Sequence, residues 1–110
     1  MKIEYGSNKL KKQLSNASEI KKAFGINAKR VSTRLDDICA SPNLAVLQQI
    51  PAANCHLLTG NREGEWAVDI SANYRLIFKI AQDPVPLKDA GGVDTIKVTD
   101  IRIIEIGDYH

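Results

Sequence analysis

The sequence predicts an α+β protein in which a mostly antiparallel β-sheet carries an N-terminal helical hairpin on one face. Apolar residues recur at gaps of three and four within residues 7–38, as they do along one side of a helix. From residue 55 onward they alternate with polar residues, as in strands with one buried face. This change of period predicts the order β-α-α-β-β-β-β, with helices on one face of the sheet and polar side chains on the other.

The N-terminal part predicts a short strand followed by a helix. Residues 2–5 (KIEY) form the strand, and residues 7–24 form the first helix. The apolar stripe of that helix consists of Leu10, Leu14, Ala17, Ile20 and Phe24. Gly25 suits the left-handed position that follows a helix, and Asn27 suits the N-cap of a second helix.

The second predicted helix packs against the first. Its apolar stripe consists of Ala28, Val31, Leu35 and Ile38. Pro42 ends it, because proline disfavours helical geometry at the preceding Ser41. The short link between the helices predicts an antiparallel hairpin. Residues 44–54 are ambiguous, and a turn of helix followed by a loop at Pro51 is one interpretation.

The C-terminal part predicts four strands, at residues 55–59, 65–71, 73–80 and 93–106. Ala72–Asn73 suits a tight hairpin turn, because asparagine tolerates positive φ. Residues 81–92 predict a flexible loop. In the last strand the apolar phase slips by one residue, which predicts a β-bulge near Thr99–Asp100.

Composition predicts a single domain over residues 1–110. Apolar residues make up 44% of the chain and charged residues 25%, which suits a globular domain with its own core. Cys39 and Cys55 lack C-x-x-C spacing and predict reduced, buried thiols. No apolar run approaches the roughly 20 residues that cross a bilayer, and the start lacks the apolar core of a secretory signal. These features predict a cytoplasmic protein without a membrane partner.

The charge is distributed unevenly along the chain. Residues 1–34 hold nine basic and two acidic groups, a net charge of +7, whereas residues 35–110 hold six basic and eleven acidic groups, a net charge of −5. A basic region favours a polyanionic partner, because each phosphate contact releases counterions. The alternative is that the lysines only solvate the two helices.

Several separated motifs run from residue 55 to the end of the chain. They comprise His56; Gly60, Gly64 and Trp66 in the pattern G-x-x-x-G-x-W; Asn73, Tyr74, Arg75, Leu76 and Phe78; and the closing Asp108, Tyr109 and His110. In this order they resemble the RelE/ParE superfamily, and within it the HigB-type toxins of bacterial toxin–antitoxin pairs. One departure is Thr59, where many HigB-like chains have a lysine.

The resemblance implies a RelE-like fold and a ribosome-dependent endoribonuclease that cleaves mRNA. In this family the ribose 2′-hydroxyl attacks the neighbouring phosphate without a metal or other cofactor. Carried over by motif, the catalytic group would comprise His56, Arg75, Asp108, Tyr109 and His110. The implied partner is a HigA-like helix-turn-helix antitoxin, through which the toxin would contact DNA only indirectly.

These residue types suit that chemistry. Two imidazoles, with an ordinary pKa near 6.5, can share the proton transfers, and Arg75 offers a planar fork for two phosphate oxygens. Asp108 can orient an imidazole, and Tyr109 can stack on a base or hydrogen-bond the phosphate. Further cations are candidates for RNA and ribosome binding: Arg62, Lys79, Lys11, Lys12, Lys21, Lys22, Lys29 and Arg30.

Other interpretations remain open at this stage. Arg75 can instead pair with Asp69 across the hairpin. His56 can be a half-buried strand residue, and Asp108 can cap a turn. At the end of the chain, Tyr109 can pack on the sheet edge and His110 can be a tail. Two other functions also remain: a ParE-like protein that binds DNA gyrase without cleaving RNA, and a binding module that has lost catalysis.

Overall fold

A computed structural model describes residues 1–108, which form one five-stranded sheet with helices packed on one face. The strands are β1 (Lys2–Tyr5), β2 (His56–Leu57), β3 (Trp66–Asp69), β4 (Tyr74–Ile80) and β5 (Asp100–Asp108). They lie in the order β1-β5-β4-β3-β2. The pairs β2–β3, β3–β4 and β4–β5 are antiparallel, and β1 runs parallel to β5. The predicted α+β class and the mostly antiparallel sheet are confirmed.

Four α-helices cover the sheet: α1 (Asn8–Gln13), α2 (Ala17–Phe24), α3 (Ala28–Ala40) and α4 (Leu44–Gln48). The single helix predicted for residues 7–24 is therefore wrong, because α1 ends at Gln13 and a separate helix, α2, begins at Ala17. The Asn16 side chain accepts a hydrogen bond from the Glu19 amide and starts α2 as its N-cap. Asparagine satisfies an otherwise unbonded amide in this way, so a new helix begins although the apolar stripe continues.

The junction between α2 and α3 differs partly from the prediction. Gly25 follows α2 with φ +54°, a conformation that glycine adopts without strain. Asn27 makes no side-chain cap, because residues 25–27 form a 3₁₀ turn that leads directly into α3. Ser41 ends α3 in an extended conformation, as the following Pro42 predicts. The open question at residues 44–54 is settled by α4 and a 3₁₀ turn at Pro51–Ala53.

Two details of the strands differ from the prediction. In the β3–β4 turn, backbone hydrogen bonds join Ser71 and Tyr74 around Ala72–Asn73, but Asn73 does not take positive φ. β5 begins only at Asp100, because Thr95–Lys97 is a 3₁₀ turn. Ile96 lies in that turn and Val98 caps it, so the two residues that set the earlier apolar phase are outside the strand, and β5 has no bulge at Thr99–Asp100. The register irregularity lies instead at Ile104, where Ile77 pairs with Glu105 and Phe78 with Ile103.

The main core lies between the helices and one face of the sheet. It includes Val31, Leu35 and Ile38 from α3 and Leu44 and Leu47 from α4. The sheet contributes Trp66, Val68, Leu76, Phe78, Ile101 and Ile103. On the opposite face, a small cluster of Leu58, Ala67 and Ile77 is buried, with Ile104 packed against it. No helix within residues 1–108 is long and apolar enough to cross a membrane.

Candidate functional site

The face of the sheet away from the helices, here called the open face, carries two of the predicted site residues. In β4 the core side chains alternate with Arg75, Ile77 and Lys79, which therefore face the other way. His56 pairs with Ala67, which pairs with Ile77, so these three residues form one row across the open face. The next row contains Asp69, Arg75 and Gly107.

An ion pair holds Arg75 in the second row. Its Nε lies 3.5 Å from Asp69 Oδ1, and both side chains are less than one-third exposed. The alternative pairing with Asp69 weighed from the sequence is therefore present. The other Asp69 oxygen, Oδ2, accepts a hydrogen bond of 3.0 Å from Asn54 Nδ2. Asp69 thus connects Arg75 to the segment that precedes β2.

Asn54 continues this connection to His56. His56 Nδ1 lies 2.7 Å from the Asn54 carbonyl oxygen. Because a carbonyl only accepts, Nδ1 carries the proton, and in a neutral imidazole Nε2 keeps its lone pair. Asn54 adopts φ +44°, a left-handed conformation that asparagine tolerates better than most residues. We call the connected residues His56, Asn54, Asp69 and Arg75 the His–Arg network.

A buried arginine supports the network from the helix side. Arg34 of α3 is 8% exposed. Its Nε donates to the Asp69 carbonyl oxygen at 2.7 Å, and its Nη1 donates to Asp37 Oδ2 at 2.6 Å. A charged hydrogen bond of this kind is stronger than a neutral one. Arg34 therefore fixes the backbone at Asp69 and, through it, the carboxylate that pairs with Arg75.

Arg62 lies on the same face but is held by two carboxylates. Its guanidinium donates to Glu65 Oε1 at 2.7 Å and to both Glu105 oxygens at 3.0 and 3.1 Å. These hydrogen bonds raise the pKa of Arg62 above its ordinary value. Lys79 is exposed farther along β4 and pairs in register with Arg102, which binds Glu4 at 2.9 Å. Carboxylates thus balance much of the cationic charge of the open face.

Asp108 lies apart from Arg75. It pairs in register with Tyr74, whose side chain faces α2 and meets the Phe24 ring edge-on at a centroid distance of 6.5 Å. Burial raises the pKa of Tyr74, and the nearby Asp108 charge adds to that increase. Asp108 lines a hollow with Ile26, Arg30 and the β3–β4 turn, on the helix side of the sheet. The predicted catalytic residues Tyr109 and His110 lie outside the described residues.

The predicted lysines lie on the helices, away from the open face. Lys11, Lys12, Lys21, Lys22, Lys29 and Arg30 are all exposed. Lys12 and Lys22 line one hollow between α1 and α2, together with Lys9 and Glu19. The fold thus separates the helical lysines from the His–Arg network by the thickness of the sheet.

Asn54 is the one residue of the His–Arg network that was not predicted from the sequence. Asn54 escaped notice because its role depends on two contacts made after folding. The available signal was an asparagine between Pro51 and a strand, a position where a left-handed turn residue is common. Among residues 1–108, no group of three or more His, Cys, Asp or Glu side chains is placed to hold a metal ion.

Two solved structures show the same fold across nearly the whole chain. A YoeB/ParE toxin from Agrobacterium tumefaciens has a TM-score of 0.56 and 11% identity, with all of both chains covered. A point variant of YafQ from E. coli has a TM-score of 0.55 and 17% identity, covering 96% of this chain and 90% of that one. No protein-family model matches the sequence, and no curated protein matches it. The chain therefore has the fold of the YoeB/ParE toxin and of YafQ, in agreement with the RelE/ParE resemblance of its motifs.

Proposed function

We propose that this protein is the toxin of a toxin–antitoxin pair and cleaves mRNA at the ribosome. The observation that carries the proposal is the His–Arg network, which holds an imidazole and a guanidinium on one open face. The shared fold with a YoeB/ParE toxin supports the toxin role. The HigB-like motifs support ribosome-dependent cleavage in particular.

His56 supplies the general base in this proposal. With Nδ1 bonded to the Asn54 carbonyl, Nε2 accepts the proton of a ribose 2′-hydroxyl. The alkoxide then attacks the adjacent phosphorus, and the bond from phosphorus to the 5′-oxygen breaks. The products are a 2′,3′-cyclic phosphate and a 5′-hydroxyl, whose proton comes from His110 as general acid. The contact of His56 Nδ1 with the Asn54 carbonyl supports His56 as the base, and His110 is proposed as the acid.

Arg75 holds the reacting phosphate. A guanidinium has five N–H donors, and the Asp69 pair engages its Nε side. The charge of Arg75 stabilises the additional negative charge that the phosphate gains in the transition state. Cross-strand spacing separates the Cα atoms of His56 and Arg75 by about 10 Å across the sheet and about 7 Å along it. A nucleotide fits between the two side chains.

The remaining predicted residues have supporting roles. Tyr109 stacks on a base or binds the phosphate. Asp108 lies at the end of β5 beside Tyr74, on the helix side of the sheet, and supports the position of the residues that follow it. Arg62 and Lys79 line the RNA path, and the lysines of α1, α2 and α3 bind ribosomal RNA. A HigA-like antitoxin neutralises the protein in the cytoplasm and links it to operator DNA.

Induction of the gene in bacteria tests the proposal. We expect growth arrest and cleavage of translated messages, mapped by sequencing of 5′ ends. Arg75→Ala should reduce cleavage about 10²–10³-fold, the effect of losing a group that stabilises transition-state charge. Arg102→Ala is the matched control, because Arg102 is also an ion-paired arginine of the open face but lies near the other end of β4.

His56→Ala and deletion of His110 separate the two imidazoles. Each should abolish cleavage of messages while leaving antitoxin binding intact. Uncleaved messages together with damaged DNA would overturn the proposal in favour of a gyrase-binding toxin. Full cleavage by Arg75→Ala would show that the network is structural only.

A further inference from the structure

The last residue of β3, Asp69, lies where that strand loses one of its two neighbours. β2 pairs with β3 at Ala67 and Trp66, and within the described part of the chain no β2 residue pairs with Asp69. The same register would bring Asn54 opposite Asp69, but Asn54 takes φ +44°, which is outside the extended geometry of a strand. On this side, β3 therefore ends without a strand beside it.

The side chain of Arg34 takes the place of the missing strand. Its Nε donates to the Asp69 carbonyl oxygen at 2.7 Å, while its Nη1 binds Asp37 Oδ2 at 2.6 Å. The first of these bonds joins α3 to the sheet across 35 positions of sequence. Without this donor the carbonyl would bond to water, and a strand end with fewer protein hydrogen bonds opens more easily.

The charge of Arg34 lies in a part of α3 that is otherwise apolar. The residue is 8% exposed, and the other buried side chains of the helix are Val31, Leu35 and Ile38. Removing a charge from water is unfavourable even when the charge is paired, and an apolar side chain of similar volume often gives a protein that is at least as stable. Packing alone therefore does not account for an arginine at this position, whereas a fixed donor to Asp69 does.

The backbone that Arg34 holds carries the carboxylate at the centre of the His–Arg network. Asp69 Oδ1 lies 3.5 Å from Arg75 Nε, and Oδ2 accepts from Asn54 Nδ2 at 3.0 Å. Oδ1 and the Arg75 Nε are both buried from solvent, so the pair cannot shift freely into water. A displacement of the Asp69 backbone would move the guanidinium and, through Asn54, the imidazole of His56.

We propose that Arg34 is a positioning residue for the reaction on the open face, which acts through Asp69 on Arg75 and His56 and does not touch the RNA. Its role in cleavage rests on the proposed function, whereas the positioning itself does not. A displacement of about 1 Å at a catalytic group can lower a rate about 10²-fold. We expect Arg34→Met to lower kcat about 10–10²-fold and to leave KM for the ribosome little changed, because the exposed lysines of the helices are unaltered.

NMR spectra of the isotope-labelled protein measure the positioning without any cleavage. Arg34→Met should shift and broaden the Nε–H signal of Arg75, and it should shift the ring signals of His56. Ile38→Val, at a fully buried position of the same helix, is the control. It lowers stability through lost packing and should leave both sets of signals unchanged, so it separates a general loss of stability from loss of the Asp69 contact.

Two further variants separate the contacts of Arg34. Asp37→Asn removes the charge of that partner and leaves the bond to the Asp69 carbonyl, so the signals of Arg75 and His56 should be retained. Arg34→Lys keeps a cation but lacks the planar fork that meets two acceptors, so it should disturb both signals less than Arg34→Met does. Arg34→Lys is also the variant to measure if Arg34→Met does not fold.

A double-mutant cycle tests whether Arg34 acts through Asp69. Asp69→Ala removes the carboxylate that links the backbone to Arg75 and Asn54. In that background Arg34→Met should have little further effect on kcat per folded molecule, because the group that transmits its effect is already absent. Equal fold-losses in the two backgrounds would show that Arg34 acts independently of Asp69 and would overturn the proposal.

The NMR results and the cleavage results fail separately. Unchanged signals of Arg75 and His56 in folded Arg34→Met, or in Arg34→Lys if the methionine variant does not fold, would overturn the positioning role even if the wild type cleaves RNA. Shifted signals together with a wild-type protein that cleaves no RNA would leave the positioning of Arg75 and His56 standing and remove the proposed nuclease.

Discussion

The two faces of the sheet are built in different ways. The helix side is a continuous apolar core, in which Leu76, Phe78 and Ile103 are fully buried. The open face carries a small apolar cluster surrounded by ion pairs, among them Arg75–Asp69, Arg62–Glu65 and Arg102–Glu4. The helix side therefore supplies most of the stability, whereas the open face holds polar groups in fixed positions.

The largest effect is expected from Phe78→Ala. Phe78 is fully buried in the main core, and truncation of such a residue costs about 3–5 kcal/mol of unfolding free energy. Urea denaturation measures the loss. Lys79→Ala, one residue along β4 on the exposed face, is the control and should change stability by no more than about 0.5 kcal/mol. Similar losses for the two variants would contradict the division between the faces.

Asp69→Ala should have a smaller effect on stability and a larger one on function. It removes the carboxylate that accepts from Asn54 and pairs with Arg75, at a cost of about 1–3 kcal/mol. The side chain of Arg75 should become mobile and the signals of His56 should shift in NMR spectra. Unaltered His56 signals would show that Asn54 orients the imidazole without help from Asp69.

The pH dependence of stability tests the burial of Cys55 on the helix side of the sheet. Burial raises the pKa of its thiol from 9.0 to about 12. The unfolded chain releases this proton at lower pH than the folded chain, so the free energy of unfolding falls as pH rises from about 9 toward 12. Between pH 8 and 9.5 we expect a loss of about 1 kcal/mol that Cys55→Ala abolishes.

Cys39 is exposed, so the buried thiol predicted for this position is wrong, and Cys39 provides the control for that measurement. Cys39→Ala should retain most of the pH dependence of the wild type, because the buried Cys55 thiol is unchanged. This variant also removes the Cys39 charge, which adds to the rise in the pKa of Tyr5 that burial causes. Alkylation gives a second measurement, with Cys39 modified rapidly and Cys55 slowly. Equal alkylation rates would place Cys55 at the surface.

The smallest effect is expected from Arg62→Ala. Its pairs with Glu65 and Glu105 are partly exposed, and such pairs contribute about 0.2–1 kcal/mol. The contribution should shrink at high salt, since screening weakens exposed pairs. If Arg62 also contacts RNA, the variant will bind ribosomes more weakly while remaining folded. A larger loss of stability than that of Asp69→Ala would show that the ion pairs of Arg62 contribute more than the Arg75–Asp69 pair.

Local patterns predicted the elements whose partners are nearby in sequence. The apolar spacing of residues 28–38 predicted α3. The alternation of residues 74–80 predicted β4 and placed Arg75 on the face of the sheet away from Leu76. The same spacing could not show the break between α1 and α2, because the stripe continues through it. The break depends on Asn16, whose side chain accepts a hydrogen bond from the Glu19 amide and so starts a new helix.

The sequence by itself determined the class of fold, the face on which Arg75 lies and the uneven charge, because periodicity and composition act locally. Tertiary structure alone decided that Asn54 connects His56 to Asp69, that Arg62 is engaged by Glu105 and that Asp108 lies across the sheet from Arg75. It also decided that β1 covers only half of the β5 edge. These relations depend on strand order and register, which hydrogen bonds between distant segments fix only when the chain folds.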